Sequence, residues 1–351
     1  MDNLIFQRFD RFSHEDSFFD TLKRDYREFP DWLKKKAGAG ESAYVLYDSM
    51  HKIDGFMYLK IEDEVDDIEP ALPPGKHLKI GTFKFNSKGS LRGQRFIKKA
   101  MDYAIKEEVD DIYVTVFEAH DYLIRLFERY GFILHGRKDT PNGVELVYVR
   151  RLRVSQKDVL LDYPYITTDE NKKYLLSIYP EFHTKLFPDS ILRGESADIV
   201  EDVSYTNSIH KIYICGMKGV MAAKKGDLLV IYRTGDGAGA ARFRAVATSV
   251  CVVEEVRNIH EFVSLDEFLA YCERFSVFSK HELIEIYNRK KYPYIIRFTY
   301  NIALPKRPTR GTLLDVVGLN EQDYWGFMEL TNSQFEHILG LGEVDESIIV
   351  N

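Results

Sequence analysis

The feature that most constrains the fold of this chain is a strand that runs through a glycine-containing turn into an amphipathic helix. Residues 78–85 are rich in β-branched and aromatic side chains, which predicts the strand, and residues 87–93 form the turn. Apolar residues at helical spacing predict the helix over 94–106. The first turn of such a helix presents backbone N–H groups that can bind an anion. The alternative is a plain strand–turn–helix connection without a ligand.

Further predicted elements surround this unit and give the first part of the chain an alternating order of strands and helices. A helix is predicted at 18–29, and an acidic, proline-containing loop at 62–74. The remaining elements are strands at 43–47, 53–61 and 112–117, a helix at 122–130, and a hairpin of 132–134 with 144–149.

The pattern changes near residue 154, which predicts a domain boundary, and 351 residues suit two domains. Residues 1–154 are predicted as the first domain, 155–179 as a connector with a short helix at 170–177, and 180–351 as the second domain. The second domain is predicted to contain strands at 211–215, 228–232, 243–253 and 294–304, and helices at 265–274, 280–289 and 333–339.

The composition excludes several classes of protein. A net charge of −7, most of it in residues 155–351, argues against a chain that coats nucleic acid by bulk electrostatics. Cys215, Cys251 and Cys272 have no paired spacing, which indicates reduced thiols and no zinc site. No apolar stretch is long enough to span a membrane. We therefore expect a cytoplasmic protein with no metal and no membrane partner.

The order of elements over residues 1–152, closed by Tyr130-Gly131-Phe132, resembles the GNAT family of N-acetyltransferases. The resemblance implies an α/β (α+β) fold with a mixed sheet and flanking helices, and acetyl-CoA as co-substrate. It implies that the cofactor contacts the edge at Phe83 and Phe85, and that the pyrophosphate lies against the backbone of Leu91, Arg92, Gly93, Gln94 and Arg95. Within the family's phosphate-binding turn, Lys88 stands where Arg or Gln is usual, and Leu91 replaces the first Gly.

The catalytic residues depart from the family pattern. Many GNAT members have a tyrosine as acid where this chain has Phe127. Tyr130, one helical turn later, can replace it as acid or can serve packing or capping. Glu118 and His120 follow the strand at 112–117 and can act as base or bind substrate; the alternative for both is a solvated loop.

The second domain resembles the PUA-like superfamily, which includes ASCH and EVE domains. The resemblance is carried by Lys225-Gly226-Asp227 before an apolar strand and by a strand that ends in Val252-Val253-Glu254. It implies a small β-barrel with helices that binds RNA or a modified nucleobase. The residues it would place in the pocket are Ser204, Thr206, Asn207, Lys211, Tyr232, Arg233 and Thr234. The alternative is a buried hydrogen-bond network that closes the barrel.

Three further stretches bear on ligands. Residues 286–314 combine seven basic groups with tyrosines and phenylalanines and contain no acid, which suits an RNA backbone or a solvated face. The glycines of 235–241 fit a loose dinucleotide pattern, but a strand rather than a helix is predicted next, which favours a hairpin loop. The acidic run 62–69 is predicted to be solvated.

These patterns favour a two-domain N-acetyltransferase that acts on an amine of an RNA-linked substrate, such as tRNA or a modified base held by the second domain. One alternative is a regulatory or ligand-binding protein whose acetyltransferase domain is degenerate. Another is a protein-amine acetyltransferase whose second domain contacts a protein partner.

Overall fold

The computed structural model describes residues 3–86, 89–192 and 203–351. The chain divides into two compact units, Met1–Val154 (unit 1) and Ser155–Asn351 (unit 2). Each unit is built on one mixed β-sheet with flanking helices.

Unit 1 contains a seven-stranded sheet in the order β1-β2-β3-β4-β5-β7-β6. Strands β4 and β5 pair in parallel, whereas the other recorded pairs of this sheet are antiparallel. The strands are β1 (Leu4–Arg8), β2 (Ser42–Tyr47), β3 (Ile53–Glu62), β4 (His77–Phe85), β5 (Asp111–Val116), β6 (Ile133–Thr140) and β7 (Gly143–Arg151). The helices are α1 (Asp20–Asp25), α2 (Phe29–Gly38), α3 (Arg92–Lys106) and α4 (Asp121–Arg129).

The single helix predicted at 18–29 is wrong, because two helices occupy this region. The α1 helix ends before Tyr26, whose backbone is extended, and α2 starts at Phe29. Pro30 lies in the first turn of α2, where its missing N–H costs no intrahelical hydrogen bond. Continuing one helix through this proline would remove such a bond, so the chain breaks and restarts.

The acidic run 62–69 was predicted as a solvated loop, and from residue 63 it is a loop with exposed carboxylates, but its apolar side chains pack on the sheet. Val65, Ile68 and Leu72 are buried in a cluster with side chains of β5 and β7. The backbones of Glu69 and Arg137 exchange hydrogen bonds of 2.8 and 2.9 Å, which fastens this segment to β6. Val65 and Ile68 interrupt the run of acidic residues, and their burial holds the segment while the carboxylates between them stay exposed.

Unit 2 contains a six-stranded sheet in the order β13-β8-β10-β11-β12-β9. Strands β8 and β10 are parallel neighbours. A β-barrel was expected from the sequence. Among the described residues, β13 and β9 lie at the two ends of the strand order, and no pairing between them that would close the sheet is recorded. The strands are β8 (Lys173–Ile178), β9 (His210–Cys215), β10 (Leu228–Arg233), β11 (Val246–Asn258), β12 (Tyr294–Ala303) and β13 (Phe327–Leu330). The helices are α5 (Pro180–Leu186), α6 (Ser204–Asn207), α7 (Ala241–Arg244), α8 (Leu265–Cys272), α9 (Lys280–Arg289), α10 (Arg310–Asp315) and α11 (Asn332–Leu341).

Two sequence predictions for unit 2 are wrong. The helix predicted at 170–177, within the expected connector, is strand β8 inside the sheet, paired with β10 on one side and β13 on the other. Burial between two strands outweighs the local helix propensity of this segment. The strand predicted to begin at 243 begins at Val246, because residues 241–244 form the short helix α7.

The described residues contain no helix that combines the length and the apolar character needed to cross a bilayer. Within the same ranges, no group of three or more His, Cys, Asp or Glu side chains is arranged to hold a metal ion. The three cysteines are buried thiols outside any disulfide. Burial raises the pKa of Cys215 to about 11 and that of Cys272 to about 12.

We expect Gly136→Ala to destabilise unit 1, because a Cβ at this position of β6 would lie 2.0 Å from the backbone oxygen of Glu69. The expected loss is about 1–3 kcal/mol in the free energy of unfolding, measured by urea denaturation. Gly38→Ala is the control, since its Cβ would meet no atom within 4 Å and alanine favours a helix. Equal stability of the two variants would contradict the packing described for the acidic segment.

Candidate functional site

The candidate site of unit 1 is the place where β4 and β5 separate. Their parallel pairing runs from His77–Asp111 to Ile80–Val114 and then stops. Strand β4 nevertheless stays paired with β3 on its other side as far as Phe85. Over residues 81–85, the edge of β4 that faces β5 therefore has no strand beside it in the described part of the chain. We call the opening between this edge and the end of β5 the wedge.

A β-bulge marks the start of the wedge. The register of β3 against β4 shifts from Leu59–Ile80 to Tyr58–Thr82, so Gly81 is the extra residue. Gly81 is exposed, and the following residues up to Phe85 are half-buried. A bulge bends a strand and re-aims its neighbours, so it is a suitable device for turning β4 away from β5.

The turn and helix that follow β4 are closely packed. Leu91 has a left-handed backbone (φ 57°) and precedes the first residue of α3. A Cβ on Gly93 would lie 2.6 Å from Leu126 and 2.8 Å from the ring of Phe85. The absence of a side chain at Gly93 therefore lets α4 and β4 approach α3. Lys88 lies outside the described residues.

The polar side chains at the start of α3 are engaged in buried contacts. Arg92 forms an ion pair with Asp54 at 2.7 Å, and both side chains are 4% exposed. Arg95 donates a hydrogen bond to the side chain of Asn3 at 2.8 Å, and Gln94 is also buried. Contact between an anion and this turn would thus rest on the backbone rather than on the guanidinium groups.

The structure separates the three predicted catalytic residues. Glu118 and His120 are exposed in the connection between β5 and α4, at the end of β5 where the wedge opens. Tyr130 is fully buried, which favours a packing role. Phe127, at the family's usual acid position, is also fully buried, and its ring packs 5.6 Å from that of Phe83.

Two polar residues near the wedge were missed by the sequence analysis. Tyr26, between α1 and α2, donates a hydrogen bond to Glu145 Oε1 of β7 at 2.9 Å. Its ring stacks on Phe117, directly after β5, with the centroids 5.4 Å apart. Burial and the nearby Glu145 carboxylate raise the pKa of Tyr26, which keeps the phenol protonated. The pair is 119 residues apart in the chain, so no local pattern could reveal it.

Unit 2 contains a cavity of 790 Å³ at the carboxyl ends of the parallel strands β8 and β10. Eight of its 23 lining residues are aromatic, and its charged groups come from α9 onward, including the carboxylates Glu282 and Glu285. The aromatic residues used below are Tyr232, Tyr292 and Trp325, and the cationic ones are Arg289, Lys291 and Arg310.

One wall of this cavity holds two buried hydroxyl groups, Tyr232 OH and Thr234 Oγ1. Among the described residues, Thr234 Oγ1 has no hydrogen-bond partner, whereas Tyr232 OH interacts with Arg310 of the same cavity. Tyr232 is 2% exposed, and its ring lies 5.2 Å from that of Trp325. The guanidinium of Arg310 lies over the Trp325 ring at 4.4 Å. Burial raises the pKa of Tyr232, and Arg310 partly opposes this effect. An unpaired buried hydroxyl such as that of Thr234 is costly, so its presence at a cavity wall indicates space for a polar ligand.

The seven residues predicted for a nucleobase pocket do not come together. Tyr232 and Thr234 line the cavity, whereas Arg233 is absent from its lining because side chains alternate along β10. Lys211 is fully buried and donates hydrogen bonds to the backbone oxygens of Tyr205 (2.6 Å) and Thr206 (3.2 Å). Also absent from the lining are three residues of α6: Ser204, Thr206 and Asn207. For Lys211, these contacts match the alternative of a buried hydrogen-bond network rather than that of a nucleobase pocket.

The basic stretch 286–314 is also divided. Arg289, Lys291 and Arg310 line the cavity. Arg297 instead forms an ion pair with Glu254 at 3.3 Å, and Arg307 donates a hydrogen bond to a backbone oxygen. The stretch is therefore no continuous basic surface within the described residues.

Comparisons with known proteins give fold likenesses only. No family model matches the chain, and no curated protein matches it. Among solved structures, Arabidopsis thaliana NAA60 in complex with a bisubstrate analogue is 19% identical, with 40% of this chain and 95% of that chain covered (TM-score 0.31). The NatC complex bound to Gag peptide and CoA is 15% identical, with 43% and 99% covered (TM-score 0.30). A mutant ASCH protein from Zymomonas mobilis is 11% identical, with 49% and 97% covered (TM-score 0.31). Scores of this size support no conclusion about activity.

Proposed function

We propose that unit 1 is an acetyl-CoA-dependent N-acetyltransferase. The observation that supports this most is the wedge, where β4 continues for five residues after its pairing with β5 has ended. A pantetheine arm carries amide groups and can lie along such a free strand edge as an added strand would. The thioester would then reach into the opening between the two strands.

In this proposal, the pantetheine arm and the pyrophosphate of acetyl-CoA contact different parts of unit 1. The edge at Phe83 and Phe85 would take the pantetheine arm, and the backbone from Leu91 to Arg95 would lie against the pyrophosphate. The α3 helix is 15 residues long, so its dipole favours an anion at this end. The bulge at Gly81 can direct a backbone N–H towards the thioester oxygen.

The reaction would be a direct transfer from the thioester to an amine. Coenzyme A leaves as a thiolate whose conjugate acid has a pKa of about 8.5, so a dedicated proton donor is helpful rather than obligatory. The replacement of the family's tyrosine by Phe127 is compatible with this chemistry. Glu118 and His120, exposed at the end of β5, remain candidates for contact with the acceptor.

Calorimetry with acetyl-CoA, followed by hydrogen exchange with and without it, tests this proposal. We expect a dissociation constant below about 1 mM for acetyl-CoA. We also expect slower exchange of the backbone amides of 81–85 and 91–95, because the cofactor would cover them. Peptides from β10 serve as the internal control and should exchange unchanged. Absence of binding, or protection confined to unit 2, would rule out the wedge as the cofactor site and leave unit 1 a non-catalytic relative.

The acceptor we propose is an amine of an RNA-linked substrate, with a base held in the cavity of unit 2. This finer proposal rests on the hydroxyls of Tyr232 and Thr234 at the cavity wall, which suit the hydrogen-bonding edge of a base. Trp325 and Tyr232 offer aromatic faces for stacking, and Arg310 offers a cation for a phosphate. Because the net charge is −7, the total charge does not favour RNA, and the proposal depends on the local cations Arg289, Lys291 and Arg310.

The variant Tyr232→Phe tests the base-binding role of the cavity, because it should weaken tRNA binding with little change in stability. In the described part of the chain, the hydroxyl of Tyr232 interacts only with Arg310, itself a cavity residue, so its removal should change the free energy of unfolding by no more than about 1 kcal/mol. The same change should weaken the binding of bulk tRNA in a filter assay by about 3–10-fold, since a hydrogen bond to the ligand is lost.

The matched control for this variant is Tyr174→Phe. Tyr174 is also 2% exposed, and its hydroxyl has no hydrogen-bond partner among the described residues, but it does not line the cavity. Its substitution should leave tRNA binding intact. If Tyr232→Phe binds tRNA as tightly as the wild-type chain, or if binding is insensitive to salt, the base-binding role of the cavity is wrong.

A further inference from the structure

Glu145 of β7 lies beside the end of β5, where the wedge opens. Val116, the last residue of β5, pairs with Leu146 of β7, so Glu145 is the next residue along β7, opposite Phe117. Tyr26 connects the two positions, because its ring stacks on Phe117 and its hydroxyl donates to Glu145. Three separate segments therefore hold this carboxylate at the end of β5 where the wedge opens.

The two oxygens of Glu145 differ in their contacts. Glu145 is 5% exposed, and its Oε1 accepts the hydrogen bond from the hydroxyl of Tyr26. For Oε2, the described part of the chain provides no hydrogen-bond partner. Tyr26 keeps its proton at neutral pH, because burial and Glu145 raise its pKa. The result is a carboxylate with one oxygen fixed in place and the other available to a substrate.

The charged surroundings of Glu145 favour a cation. Lys138, opposite it on β6, is engaged by Asp67, and Lys84 of β4 is engaged by Phe18 O and Thr21. The other titratable groups that act on Tyr26 are the acidic Asp25 and Glu28, and the ring of His120 lies beside that of Phe117. An ammonium group entering here meets carboxylates, whereas the nearby lysines already have partners.

We infer that Glu145 is the group that takes the proton from the acceptor amine, and that Tyr26 is a positioning residue for it. This inference rests on the acetyl transfer proposed above. The acceptor that enters the wedge beside Glu145 would be a protonated primary amine rather than an alcohol or a thiol. The carboxylates there attract a cation, and Glu145 can accept its proton. No sequence motif of the chain contains either residue.

The proton and electron balance of the step is as follows. The acceptor ammonium gives one proton to Glu145 Oε2, and the resulting lone pair on nitrogen attacks the thioester carbonyl carbon. The C–N bond forms, the C–S bond breaks, and the electron pair of the C–S bond leaves on sulfur. A second proton moves from nitrogen to the thiolate, which gives the amide and free coenzyme A. Glu145 then returns its proton to water.

Glu145→Gln and Tyr26→Phe test the inference in the full chain. The probes are acetyl-CoA with three amine acceptors, namely spermidine, polylysine and bulk tRNA, and free thiol is measured. We expect Glu145→Gln to lower kcat/KM by about 100-fold at neutral pH while acetyl-CoA binding stays within about 2-fold of wild type. The deficit should shrink as the pH rises towards the pKa of the amine, because free amine then needs no base. A merely structural role would give a deficit that is constant with pH.

For Tyr26→Phe we expect a smaller loss, about 5–10-fold in kcat/KM, with the acidic limb of the pH profile moved to higher pH. The matched control is Tyr271→Phe in unit 2, which removes a tyrosine–glutamate hydrogen bond of the same 2.9 Å length, to Glu255. This control should retain wild-type rates at every pH.

Different results would refute the acetyltransferase proposal and the assignment of Glu145. Failure of the wild-type chain to bind acetyl-CoA refutes the acetyltransferase before any acceptor is added. A chain that binds acetyl-CoA but acetylates none of the three amines overturns the assignment of Glu145 alone, as does a Glu145→Gln variant with wild-type kcat/KM or a pH-independent deficit.

Discussion

The early end of the pairing between β4 and β5 is the constraint on which unit 1 depends. Only four register pairs join the two strands, and the bulge at Gly81 begins directly after the last of them. Once the strands separate, their ends must be covered from both faces of the sheet. Aromatic rings of Phe83, Phe96 and Phe127 pack on one face. The rings of Phe9, Phe56 and Tyr58 pack together in a second cluster.

This arrangement explains how an opening can persist in a well-packed unit. The aromatic side chains turn inward on both faces, so the backbone edge of β4 stays accessible without exposing the core. Gly93 allows the close approach of α4 and β4 to the first turn of α3. The same close packing engages Arg92 and Arg95, and it leaves the backbone as the element of this turn that can meet a cofactor.

Unit 2 has a different feature, buried hydroxyl groups at the wall of a cavity. Tyr232 belongs to β10 and Thr234 follows directly after this strand, at the carboxyl end of a parallel strand pair. Crevices at such ends commonly bind ligands in sheets with parallel strands. Arg310, stacked on Trp325, comes from a segment far along the chain. The cavity therefore draws on strands and helices that are distant in sequence.

Elements with a clear period were predictable, and sites that depend on contacts between distant segments were not. The helix predicted at 94–106 is present as Arg92–Lys106, and that predicted at 280–289 is present as Lys280–Arg289, because their apolar spacing already matches a helix. Strand β8 was mistaken for a helix, since its pairing with β10 and β13 outweighs its local propensity. The amino-acid sequence by itself determined which segments form strands and helices where the periodicity is strong, and where the turn after β4 lies. Only the tertiary structure decided that Tyr26 meets Glu145, that Lys211 is buried while Tyr232 faces a cavity, and that β4 leaves β5 after Ile80. Such contacts depend on strand register and on packing across more than a hundred residues, which no local pattern encodes.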